Sequence, residues 1–173
     1  GLHWGHCRHT RGLLPPPRAH ALQDKSKPVE PYIFRRGKSH DRGPKVPRQF
    51  IGHLAPNRKP FTQGSGRLEL AKSIANPGNS LTARVLVNRV WQHIFGTGIV
   101  DTPSDFGING GRPSHPDLLD WLAARLIEEK WSVKQLQRRL LSSATFRQAS
   151  LSRREGEQID ADCRLLWRFP PRR

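Results

Sequence analysis

Seven polar residues in one short stretch have side chains that bind or react: Arg84, Asn88, Arg89, Gln92, His93, Asp105 and His115. Guanidinium groups grip carboxylates and phosphates, imidazole moves protons near neutral pH, and a carboxylate serves as base or charge partner. Arg84, Asn88 and Gln92 recur every four residues, and Arg89 and His93 repeat that spacing one position along. On a helix this makes two adjacent polar rows. Such rows are solvated, hold a ligand or anion, or tie down nearby backbone. The stretch that follows, residues 97–113, contains Gly98, Gly107, Gly110 and Gly111 and reads as a long loop. Its backbone groups need partners wherever the loop is covered. Asp105 is therefore expected to pair with Arg89 or Arg84, with His115 anchoring the far end of the loop. The structural network is the preferred reading; the solvated face and the ligand site are the alternatives.

Other arrangements carry less chemistry. His3, His6, Cys7 and His9 are ligand types for zinc or copper, but their spacing is crowded and no metal site is assigned. Asp105-Phe106-Gly107 spells the metal-binding triplet of kinases without the glycine-rich loop, strand lysine or catalytic loop that kinase chemistry requires. Ser114 and His115 lack a nucleophile elbow. Ser114 is better explained as a helix cap. Asp101 and Asp105 are the two residues placed to supply paired carboxylates. No catalytic residue is assigned.

The elements that must position these residues are mostly helical. Ser65 is expected to cap a short helix to about Ala75, stopped by Asn76-Pro77-Gly78. Asn79 or Ser80 caps the next, whose apolar positions Ala83, Leu86, Val87, Val90, Trp91 and Ile94 form one wide stripe ending at Gly96. A third helix starts at Ser114-His115-Pro116-Asp117, with Ser114 as cap and Asp117 completing a capping box. The last opens on Ser132 and Gln135 as a capping box, with Trp131 and Leu136 as the hydrophobic staple. Its stripe is Val133, Leu136, Leu140 and Ala144. Leu165, Leu166, Trp167 and Phe169 form a short apolar cluster in the tail. The predicted fold is mainly α: a helical core over residues 65–149, an extended basic arm over 1–64, and a terminal segment over 150–173. At most one or two short strands are expected, one within residues 28–37.

The chain has 173 residues, two cysteines and no methionine, and a net charge of +16. Residues 1–64 hold 9 of the 15 prolines and 13 Lys or Arg against 3 Asp or Glu. Pro15–Pro17 favours an extended path. A pI near 11.4 raises the expectation of weak polyanion binding. The charge is diffuse, with no aromatic–basic interleaving along the chain and no RNA-binding or zinc-finger spacing. Two cysteines make a disulfide framework unexpected. No run of apolar residues is long enough for a membrane span. With no methionine, the chain reads as an interior piece of a longer frame.

Two segments carry a resemblance: GSGRLELAKSIANPGNSLTARVLVNRVWQHIFGTGIVDTPSDFG and PSHPDLLDWLAARLIEEKWSVKQLQRRLLSSATFRQAS. Upstream stand LLPPPRAHAL and KPVEPYIFRRG, and downstream CRLLWRFPPRR. In this order they resemble planctomycete-specific domain one, a domain of unknown function. The resemblance covers about residues 13–173. It departs at Asn79-Ser80, where the family has Asn-Pro, and at Lys38, where it has Asn. The family domain also continues past Arg173, so the terminal segment is expected to be truncated. Residues 1–12 fall outside it. The resemblance implies a domain near the C-terminal end of exported, hence periplasmic or extracellular, proteins. These often carry a cytochrome-c-like domain upstream, so haem is expected there and no cofactor in this chain. It implies no catalytic residues.

Three functions follow as expectations. The first is a non-catalytic accessory or interaction module that meets other domains of the same polypeptide. The second is a polyanion-binding module for nucleic acid or acidic polysaccharide. The third is part of an enzyme acting on polysaccharide through the polar cluster.

Overall fold

The computed structural model describes residues 22–25 and 27–169. The crowded His3–His9 group and the Pro15–Pro17 run lie outside the described residues. The chain is mainly α, with six helices and one two-stranded sheet among the described residues. It divides into two compact units between Ser73 and Ile74.

The first unit holds a hairpin. Strand β1 (Tyr32–Phe34) pairs antiparallel with β2 (Arg42–Lys45), across a short 3₁₀ turn at Arg35–Gly37. β1 lies within the span 28–37 where a short strand is expected, and β2 lies beyond it. The pairing is reinforced outside the strands by Val46 N–H to the Pro31 carbonyl (2.9 Å) and Arg35 N–H to the Asp41 carbonyl (3.0 Å). Pro31 and Pro44 are tolerated because both strands are edges. Helix α1 (Arg67–Ile74) begins in this unit. Ser65 does not cap it as expected. Its N–H and hydroxyl both donate to the carboxylate of Asp24, at 2.8 and 2.7 Å. Glu69 reaches back from the first turn and accepts from the N–H groups of Thr62 and Gln63. Phe50 is the one buried hydrophobic side chain among the described residues of this unit. With so little apolar burial, charged hydrogen bonds carry much of its order.

The second unit is built on three helices: α2 (Ser80–Phe95), α3 (Pro116–Glu128) and α4 (Val133–Leu141). Their stripes meet in one core, where Val87, Ile99, Leu122, Leu126 and Leu136 are all but fully buried. Asn79 caps α2, its side chain accepting from Leu81 N–H at 3.1 Å, and Gly96 follows the last turn. Ser114 is not the cap of α3: that position belongs to His115, whose side chain makes no cap bond. Ser114 instead turns back on the loop, its N–H donating to the Ile99 carbonyl at 2.9 Å. Ser132 caps α4 as expected, accepting from Gln135 N–H at 3.4 Å. Trp131 packs half-buried against the core. The last stripe ends sooner than predicted. Ser143 caps a separate turn, α5 (Ala144–Arg147), accepting from Phe146 N–H at 3.1 Å, and leaves Ala144 exposed. The tail adds α6 (Arg154–Ile159).

The join from α3 to α4 is a Schellman stop. Trp131 N–H reaches the Leu126 carbonyl at 2.8 Å and Lys130 N–H the Ile127 carbonyl at 3.0 Å. Lys130 and Trp131 both adopt left-handed backbone, at φ 54° and 62°. A side chain in that region costs energy that glycine does not.

Two outcomes test this account. Lys130→Gly should raise stability by about 0.5–1 kcal/mol in chemical denaturation; a loss would mean that the left-handed stop is absent in solution. The carboxyl of Asp24 is held down to about 2 from an ordinary 3.8, first by the Ser65 N–H and hydroxyl and then by Arg67. A depressed acid stabilises the fold above its unfolded value and loses that contribution as pH falls through the folded one. The tie should therefore be intact above pH 3.8 and lost between 3.8 and about 2. Carboxyl-carbon NMR should give a midpoint near the lower figure, whereas an ordinary midpoint would show that Asp24 is unpaired.

Candidate functional site

The centre of the polar stretch is Asn88. Its side chain is fully buried, at 0% exposure. The amide Nδ2 donates to the Val100 carbonyl at 2.9 Å, and Oδ1 accepts from Val100 N–H at 2.9 Å. One side chain thus satisfies both backbone groups of a buried loop residue, as a neighbouring strand would. Gly98 makes room for this. A Cβ there would lie 2.8 and 2.9 Å from the two amide atoms of Asn88 and would also overlap the Val100 carbonyl.

The remaining members do not gather around Asn88. Arg84 pairs across to α3, with Nε donating to Asp120 Oδ1 at 2.5 Å, and its NH1 returns to the Ser80 carbonyl. The Arg84 guanidinium holds the Asp120 carboxyl below its ordinary range. Asp105 pairs with neither arginine. It is exposed and closes a local turn by accepting from Gly107 N–H at 2.8 Å. Proximity in sequence favours that turn over a bond that would have to fix a flexible arginine. Arg89 is exposed and forms no ion pair among the described residues. Gln92 is half-buried and His93 exposed on the last turns of α2. His115 is half-buried at the start of α3, its Nδ1 3.0 Å from Ser114 Oγ. The loop is anchored at that end, but through the backbone and hydroxyl of Ser114 to Ile99 rather than through the imidazole.

His115 does border a cavity of this unit. A cleft of about 340 Å³ opens where α2 ends, between Gly96–Ile99, Ser114 and His115 on one side and Asp162, Cys163, Arg164 and Leu166 on the other. The stacked rings of Trp91 and Phe95, with centroids 4.0 Å apart, close its inner end. Cys163 sits in left-handed backbone at φ 54°, and its Sγ accepts from Arg168 Nε at 3.2 Å. Arg164 reaches Asp101 at 2.8 Å, fastening the tail to the loop. The cleft offers an imidazole, a carboxylate, hydroxyls and a thiol to a small polar ligand. Among the described residues, no three His, Cys, Asp or Glu side chains are grouped for a metal ion. Sequence reading missed Asp120, Asp162, Cys163 and Arg164. The apolar tail cluster beside Cys163 signalled packing there, but not what it would pack against.

The structural role of Asn88 is measurable. Asn88→Ala strands two buried backbone groups and should cost about 2–4 kcal/mol in denaturation. Gly98→Ala should be destabilising for the same contact. Asp105→Asn keeps the local turn and should stay within about 0.5 kcal/mol of the parent. A near-neutral Asn88→Ala would show that the loop is not held by this side chain.

No curated protein and no solved structure matches the chain. One family model does, described as PSD1, protein of unknown function (DUF1553), over residues 66–173. That span takes in all of α2–α6, the Asn88 contact and the cleft, and agrees with the resemblance carried by the motifs. The chain belongs to the PSD1 family of proteins of unknown function.

Proposed function

We propose that the helical unit is a non-catalytic interaction module of an exported multidomain protein, and that its polar stretch serves the fold. The observation that supports this most is the destination of the polar groups. Asn88 is spent on Val100, Arg84 on Asp120, and Asp105 on its own turn. Groups poised for a ligand would instead be held open. A polysaccharide-cleaving enzyme, the competing reading, needs two carboxylates facing each other across the scissile bond. The cleft is lined by one, Asp162, while Asp101 is engaged by Arg164. The partner under this reading is another domain of the carrying polypeptide, and any haem belongs to that domain.

The test pits the two readings against each other. The chain should release no reducing ends from neutral or acidic polysaccharides, and should bind the separately expressed remainder of its reading frame in calorimetry. Release of reducing ends that is abolished by His115→Ala would establish the enzyme reading and overturn the module.

A further inference from the structure

We propose that the hairpin of the first unit is a binding site for single-stranded nucleic acid, with Phe34 as a stacking platform and Arg42 and Lys45 as phosphate contacts. Tyr32 pairs with Lys45 and Phe34 with Arg42, so two steps of β1 oppose three steps of β2. That irregularity is a bulge, and it has a consequence for direction. Residues an odd number apart on a regular strand point to opposite faces. The extra residue brings Arg42 and Lys45 to the same face, alongside Tyr32 and Phe34. Their placement confirms it: the Arg42 guanidinium and the Lys45 ammonium lie 5.4 and 5.5 Å from the centre of the Tyr32 ring. Gly43 permits the close pairing, since a Cβ there would lie 3.0 Å from the Ile33 carbonyl oxygen. The aromatic–basic interleaving missing from the linear sequence is thus created by the fold.

Charge on this hairpin is strongly positive: residues 32–45 hold five Lys or Arg against one acid, Asp41. Between residues 22 and 73 there are twelve Lys or Arg and four Asp or Glu. Asp24 and Glu30 are engaged by Arg67 and Arg48, and Glu69 by backbone N–H groups. Among the described residues, Arg35, Arg36, Lys38, Arg42 and Lys45 form no ion pair. Phe34 is nevertheless 49% exposed beside them. An exposed ring next to clustered cations suits a flexible strand whose phosphates meet the cations while a base stacks. A sulfated polysaccharide would satisfy the cations but gain less from an exposed benzyl ring. An anionic membrane would need the apolar groups on one face, and Ile33 and Phe34, being consecutive, point to opposite faces.

The experiment is fluorescence anisotropy of labelled oligothymidylate with the whole chain across a salt series, circular dichroism confirming the fold of each variant. Binding should weaken with salt by a slope of about −0.7 per phosphate contacted. Replacing Arg42 and Lys45 together by Gln should lower affinity at least tenfold and flatten the slope by roughly 1.4, the loss of two contacts. Phe34→Ala should lower affinity about fivefold or more with the slope unchanged, and Phe34→Tyr should restore it. The proposal is overturned if folded hairpin variants bind like the parent, or if the parent binds no oligothymidylate at low salt. Equally fatal would be heparin binding indifferent to Phe34 that outcompetes the oligonucleotide, or binding to phosphatidylserine vesicles lost in Ile33→Ser.

Discussion

A glycine-rich loop can run through an apolar core only if something answers its backbone. In the second unit that is Asn88. Ile99 and Val100 are nearly fully buried and belong to the core between α2 and the other helices. Their side chains favour that position, but the Val100 peptide groups would each lose a hydrogen bond to water on entering it. The Asn88 amide supplies one donor and one acceptor at the required spacing, and no aliphatic residue could. With Val100 fixed, Ile99 is fixed beside it, and the Ile99 carbonyl then receives Ser114. Ser114 sets the residue where α3 begins. A single amide thus determines where the loop enters the core and where the next helix starts. The hydrophobic contacts fill space around a path that this contact defines.

The first unit meets a different constraint. It buries little apolar surface among its described residues, so carboxylates do the tying. Asp24 collects Ser65 and Arg67, Glu30 collects Arg48, and Glu69 collects the Thr62 and Gln63 amides. Each bond is charge-assisted, the stronger kind. Because three of the four acidic residues are used this way, the cations around the hairpin form no ion pair among the described residues. The fold of this unit and its uneven charge have the same cause.

Helix existence was legible in the sequence because it rests on periodicity and caps, which are local. The Asn79 and Ser132 caps and the Gly96 stop follow from residue type alone. What was not legible depends on distant partners. Ser65 and Ser114 have the right type for caps, yet each meets a stronger or better placed group brought in by the chain path, Asp24 in one case and Ile99 in the other. The polar rows of α2 were visible, but not which member would be buried. Asn88 lies on the edge of the apolar stripe, and Arg89 one step beyond it. A rotation of one residue separates full burial from exposure, and spacing does not resolve that difference. The hairpin was half legible because a bulge has no periodic signal.

The cleft and the polar stretch of α2 differ in how their groups are used. On α2, Asn88 answers the loop and Arg84 answers α3 through Asp120, so their chemistry is consumed inside the fold. The cleft has walls from two segments that are distant in sequence, the Gly96–Ile99 turn and the Asp162–Leu166 tail. The tail holds its shape through Asp160, which accepts from the N–H groups of Arg164 and Leu165, and through two left-handed residues, Cys163 and Leu166. A β-branched residue would be strained at either of these two positions. Backbone held in that region persists only when its surroundings over-determine it. Here they do so by two means: Phe169 packs with Phe146 and Phe95, and Asp101 clasps Arg164. The cavity is thus formed by the tail's own fastening to the helices, and it exists only in chains that keep both the loop and the tail.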